Sequence, residues 1–167
     1  MVVAVVVLRP WEGKLEEGPA SAVVPVMRVV DGDTVEVRLG GHEEDVRLIG
    51  VDTPETVKPD TPVQCFGERA SHFTKRRLTG RRVRLVFGVE RRDVYGRLLA
   101  YVYLPDRTSY VHQDVQGPQR DRLFNAILVR RGLARSLTIP PNDRFARRFR
   151  RLELVAARAG RGLWGAC

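Results

Sequence analysis

The stretch that most constrains the fold runs from Val23 to Val51. Val23 to Val30 is rich in β-branched residues, and Thr34-Val35-Glu36-Val37-Arg38-Leu39 alternates apolar and polar with period two. Asp45 to Val51 alternates again through Val46, Leu48 and Gly50. Asp31-Gly32-Asp33 and Gly40-Gly41-His42 separate these runs, and links so short join only antiparallel neighbours. The segment therefore reads as a three-strand meander.

Downstream the period changes. Gln64 to Thr79 has helical spacing, with Phe66, Ala70, Phe73 and Leu78 near one face and Gly80 as its stop. Arg82 to Phe87 and Leu98 to Leu104 read as two more strands, joined by a charged turn from Glu90 to Arg97. Arg107 to Arg120 reads as a long loop. A short helix from Leu123 to Arg131 ends at Gly132. The last helix spans about Asp143 to Ala159, capped by Asn142, with Phe145, Phe149, Leu152, Ala156 and Ala159 forming a core-facing stripe. The opposite face carries Arg144, Arg147, Arg148, Arg151 and Arg158, read as solvated. Five strands and three helices in 167 residues suit one domain. The fold class is α+β and β-rich: a small, partly open, five-stranded oligonucleotide-binding (OB-fold) barrel with three helices packed on it. Residues 1–22 form an N-terminal extension, 23–164 the domain and 165–167 a tail.

Charge narrows the partners. The chain carries 29 Lys+Arg against 20 Asp+Glu, a formal +9, and only Lys14, Lys58 and Lys75 of the basic residues are lysines. Such a surface attracts polyanions, of which nucleic acid is the commonest. The arginine bias also fits a GC-rich genome. A 43% hydrophobic share fills a core and excludes a disordered basic tail. No apolar run approaches the roughly 18–20 residues of a membrane-spanning helix. Val2 to Leu8 resembles a clipped signal-peptide core, yet no basic segment precedes it; an edge strand and a disordered tail stand as alternatives. Cys65 and Cys167 match no metal-ligand spacing, and both a disulfide and two free thiols remain open.

Within this basic chain, acidic residues gather at two points. Asp31 and Asp33 flank the first link, while Asp52 and Glu55 follow the third strand. Antiparallel pairing brings the start of strand two beside the end of strand three, so the four carboxylates converge. Crowded carboxylates repel unless a cation or protons neutralise them, and oxygen-only ligands favour Ca²⁺ or Mg²⁺. Arg47 lies among Val, Leu and Ile in the third strand and needs an anionic partner. Positions 47 and 52 have opposite parity, so bringing them together requires a strand end or a bulge. Arg97 sits in the turn before the last strand. Two arginines, a carboxylate-held cation and a further carboxylate suit phosphodiester cleavage. The histidines, His42, His72 and His112, show no pairing, and no Walker-type phosphate loop is present.

The chain resembles the staphylococcal nuclease family. Matching stretches are Val30 to Val35, Arg47-Leu48-Ile49-Gly50-Val51-Asp52-Thr53-Pro54-Glu55, Asp93 to Tyr101, Phe66 to Ser71, Leu128 to Ala134, and Gly162-Leu163-Trp164. The resemblance implies a Ca²⁺-dependent nuclease acting on DNA and RNA with little sequence preference and leaving 3′-phosphate ends. It implies Asp33, Asp52 and the backbone carbonyl of Thr53 as metal ligands, with Asp31 just behind them. Glu55 would act on the attacking water. Arg47 and Arg97 would hold the phosphate, and Tyr95 and Leu99 would contact the nucleotide. A non-catalytic nucleic-acid-binding module is the rival reading. Single strands are the expected preference, and the chain is expected to be a monomer exported to the cell envelope or beyond, with a cytoplasmic location still open. Two departures stand out. The family's tyrosine pair after Gly-Leu-Ala is missing from Arg135-Ser136-Leu137-Thr138-Ile139-Pro140-Pro141. Tyr110 to Gln119 reads as an insertion, with a tolerated surface excursion favoured and a substrate-facing loop as the alternative.

Overall fold

A computed structural model describes residues 20–56, 62–105 and 122–167. Most of the N-terminal extension and the Tyr110 to Gln119 stretch lie outside these residues. The described elements are β1 (Ser21–Asp31), β2 (Thr34–Leu39), β3 (His42–Leu48), β4 (Val51–Asp52) and α1 (Gly67–Leu78). They continue with β5 (Arg82–Arg92), β6 (Leu98–Tyr103), α2 (Phe124–Arg130), β7 (Arg135–Ser136), α3 (Ala146–Arg158) and α4 (Leu163–Ala166).

Five strands close into a barrel in the order β1-β2-β3-β6-β5, with β5 pairing back onto β1. The ring is closed rather than partly open. All pairs are antiparallel except β3–β6, which run parallel. Alternation along β2 and β3 sends Val35, Val37, Val46 and Leu48 into the core. α1, α2 and α3 pack outside the ring and complete that core. Phe124 and Phe149 are fully buried, and Phe73 stacks on Phe124 with ring centres 6.0 Å apart.

Several elements depart from the local reading. β1 does not keep one parity: Val24 and Val26 are buried, then Val29 and Asp31. Register shifts in the pairing with β2, the first between Val26 and Arg28, insert the extra residue that turns odd positions inward. The third strand is not continuous to Val51. It ends at Leu48, turns through Ile49 and Gly50 (φ 80°), and restarts as β4, which pairs with β7. Strand β7 has two residues, too few for any periodicity to mark. β5 continues to Arg92, five residues past Phe87.

α3 begins at Ala146, and Asn142 does not cap it. The Asn142 amide instead accepts from Glu90 N–H (3.1 Å) and donates to Glu90 C=O (2.9 Å). It thereby satisfies both backbone groups of a β5 residue, a use no local pattern announces. The stripe on α3 stops short of its last member, since Ala159 is exposed. Cys65 and Cys167 form a disulfide, their Cα atoms 6.0 Å apart. Among the described residues no helix is long and apolar enough to cross a membrane.

Candidate active site

The acidic turn after β1 is pressed against the segment that follows β4. A side chain at Gly32 would meet Thr53 atoms at 2.7–2.9 Å, so only glycine permits this approach. Thr74 of α1 holds the turn from behind, donating to Gly32 C=O at 2.7 Å. Asp33 is buried and satisfied on all sides. Its Oδ2 accepts from Thr53 N–H (2.7 Å) and Thr53 Oγ1 (3.0 Å), and its Oδ1 accepts from Thr34 Oγ1 (3.1 Å). The Arg47 guanidinium stands 3.2 Å from the same carboxylate.

Arg47 is the hub. Its side chain is only 15% exposed, and it donates to the carbonyls of Leu48 (3.1 Å) and Val51 (2.7 Å) and to Asp52 Oδ1 (3.0 Å). The parity conflict between positions 47 and 52 is resolved by the strand end: the turn at Ile49-Gly50 swings β4 back so that Asp52 faces Arg47. Asn125 of α2 anchors this turn. It is fully buried and donates to Ile49 C=O (2.8 Å) while accepting from Val102 N–H of β6 (2.9 Å). Asn125 was not among the expected site residues, although an asparagine inside Leu123-Phe124-Asn125-Ala126-Ile127-Leu128-Val129 is a visible signal.

Asp31 Oδ1 accepts from Gly32 N–H (2.8 Å) and Thr56 Oγ1 (2.6 Å), and Glu55 lies against it. Glu55 is positioned through its backbone: its N–H donates to Gln64 Oε1 (3.1 Å), and its C=O accepts from Gln64 N–H (2.9 Å). The electrostatics follow from crowding. Burial pushes the Asp31 carboxyl above its ordinary value, with Asp33 and Glu55 adding to the rise against the hydrogen bonds from Thr56 and Gly32. Asp52 is also raised, first by burial and then by Asp33 and Glu55, with Arg47 and Arg135 opposing. Arg135 is a second residue missed from sequence. β4–β7 pairing sets it opposite Asp52, and its guanidinium lies 4.4 Å from the Trp164 ring centre.

Arg97 belongs to a neighbouring group. Asp93 clamps it (Nε–Oδ2 2.8 Å, Nη2–Oδ2 2.7 Å), and it lies 5.3 Å from the ring centre of Tyr95, which is 81% exposed. Leu99 is the β6 partner of Arg47, so these two share the outer face of the barrel, and continued alternation puts Arg97 on that face too. The described contacts thus join Asp31, Asp33, Arg47, Asp52, Thr53 and Glu55. Arg97, Tyr95 and Leu99 are set one strand away.

The donor chemistry fits a hard cation. Asp33 and Asp52 converge on one positive centre, their oxygens repel, and among the described residues no imidazole or free thiol accompanies them. Among the described residues no three of His, Cys, Asp and Glu form a ready cage. Two carboxylates and a carbonyl would therefore leave the rest of a six- to eight-oxygen shell to solvent and substrate.

Fold and site together define an α+β barrel of the OB type with a carboxylate–arginine cluster at the end of its third strand. The chain belongs to the staphylococcal nuclease family: the model described as "Staphylococcal nuclease homologue" matches residues 45–166. It is 45% identical over 139 residues to a thermonuclease of Staphylococcus intermedius, covering 83% of this chain and 74% of that one. A thermonuclease of Staphylococcus hyicus is 37% identical over 173 residues, covering 98% and 94%. Endonuclease YncB of Bacillus subtilis (strain 168) is 36% identical over 143 residues, covering 84% and 61%.

Proposed function

We propose that the chain is a Ca²⁺-dependent nuclease that hydrolyses phosphodiester bonds of DNA and RNA, single strands preferred, with little sequence specificity and 3′-phosphate products. The observation that carries this reading is Arg47, a largely buried guanidinium held against Asp33 and Asp52 with Glu55 and Asp31 beside them. The relatives named thermonuclease and endonuclease support it.

Asp33, Asp52 and the Thr53 carbonyl would hold the cation, with Asp31 behind them. When bound, the cation would supply positive charge against the negative charge that builds on the phosphoryl oxygens. Arg47 matches phosphate oxygens with its planar fork, and Arg97 approaches from the adjacent strand to neutralise the leaving 5′-oxygen. Glu55 orients the attacking water and takes its proton. Tyr95, exposed beside Arg97, and Leu99 would contact sugar and base. The basic surface supplies salt-sensitive affinity. The same reading covers an exported monomer, with residues 23–164 as the nuclease domain.

The test is cleavage of single-stranded DNA by the wild type, with Ca²⁺ and then with chelator, beside Glu55→Ala and Arg97→Ala. Cleavage that needs Ca²⁺ and drops by at least about 10²-fold in each variant is expected. Equal cleavage in chelator, or binding without any cleavage, overturns the reading.

A further inference from the structure

The cleavage site engages a single phosphodiester, whereas OB-type folds engage roughly 4–16 nucleotides. The rest of a bound strand must lie along another part of the surface. A groove of about 950 Å³ between α1, α2 and the turn before α4 is lined by Arg69, Arg76, Arg130, Arg131 and Arg161, with Phe66 and Phe73 between them. Glu68 is the one acidic side chain among its lining residues.

Five arginines of the barrel and its turns are already paired. Arg28, Arg38, Arg47, Arg92 and Arg97 each form an ion pair with a carboxylate. Among the described residues, Arg69, Arg76, Arg131 and Arg161 form none, and all four are exposed. Two lie over aromatic rings instead. Arg69 lies 5.3 Å from the Phe66 ring centre, and Arg131 lies 5.1 Å from that of Phe73. Stacking orders a guanidinium without consuming its N–H edge, which stays ready for phosphate oxygens.

The groove begins where the cleavage site ends. Phe66, a non-glycine residue at φ 72°, caps α1 and provides the first ring. A side chain at Gly67 would meet the carbonyls of Pro54 and Glu55 at 3.0 Å, so the start of α1 rests on the Glu55 segment. Cys65 and Gln64 line a smaller pocket that includes Asp52 and Thr53, and Phe66 opens the basic groove next to them.

The geometry points to a second, non-catalytic subsite: the α1–α2 groove binds the phosphate backbone of the nucleic-acid strand beyond the bond that is cut. This rests on the nuclease reading above and extends it to substrate length. Charge from Arg69, Arg76 and Arg131 favours long, flexible, single-stranded substrates over dinucleotides.

The test compares wild type with the triple variant Arg69→Gln, Arg76→Gln, Arg131→Gln. Binding of a labelled oligothymidylate longer than about 16 nucleotides is measured by anisotropy in chelator across a salt series. Each lost single-strand phosphate contact lowers the log–log salt slope by about 0.7, so the variant should be shallower by about 2. Turnover of a dinucleotide with Ca²⁺ should not change, and the triple Arg→Lys variant should restore the slope, which a misfolded chain could not. An unchanged slope overturns the subsite even where cleavage proceeds normally. A wild type that shows the slope difference but cuts nothing refutes the nuclease reading and leaves the binding groove standing.

Discussion

Asn125 offers the sharpest check on how the fold builds the site. Its two amide ends bond Ile49 C=O and Val102 N–H at 2.8 and 2.9 Å, with no exposure. Asn125→Leu keeps a side chain of similar size but removes both partners, leaving a buried carbonyl and a buried N–H unpaired. Each orphan costs about 1–3 kcal/mol, and partial relaxation of the turn favours the lower half, giving about 2–4 kcal/mol in all. A domain of this size loses roughly 2–4 °C per kcal/mol, so Tm should fall by about 5–15 °C. The same turn carries Val51 and Asp52 toward Arg47, so DNA cleavage at 25 °C should drop roughly 10-fold or more. Urea unfolding and a thermal melt measure the first effect, and initial cleavage rates the second. A stability loss below about 1 kcal/mol would refute the reasoning, because it would mean that those backbone groups find other partners.

Three further outcomes are expected. Replacing Cys65 and Cys167 with serine opens a loop with a sequence separation of 102, which the chain-entropy account values at about 4–5 kcal/mol. The melt should shift down while cleavage at 25 °C persists, and two titratable thiols in the untreated wild type would show that no bridge forms. Arg47→Gln leaves the buried Asp33 carboxylate without its cation, so stability should fall by about 3 kcal/mol and cleavage by about 10²–10³-fold, read from urea unfolding and initial rates. Glu44 is held below its ordinary value near 4.5 by its hydrogen bonds and charge pairing with Arg92. That pair contributes in full above 4.5 and is lost as pH falls through the lowered folded value. In melts across pH 3–7, the gap between wild type and Arg92→Gln should therefore close on the acid side, and a gap that widened there would contradict the assignment.

Local pattern was enough for the meander, the two later strands, the existence of three helices and the convergence of the acidic turn with the end of the third strand. Those features depend on side-chain alternation and short links, which any few residues carry with them. The same pattern said that Arg47 needs an anionic partner, and burial of a guanidinium among Val, Leu and Ile makes that unavoidable.

Other features exist only through contacts between distant parts of the chain. The bulges that turn Asp31 inward depend on how β1 registers with β2, and period two reports a face without reporting register. Two-residue strands β4 and β7 have no periodicity, and their pairing alone brings Arg135 to Asp52. Asn142 reads as a helix cap in sequence because cap chemistry and strand bonding use the same amide; the proximity of Glu90 decides between them. The partner of Cys65 lies 102 positions away. Net charge announced a basic surface, yet only the tertiary structure separates arginines spent on carboxylates from those left facing a groove. The sequence by itself determined which residues could do the chemistry, because residue type and local period reside in the chain. The tertiary structure decided which of them meet, because meeting depends on closing the barrel.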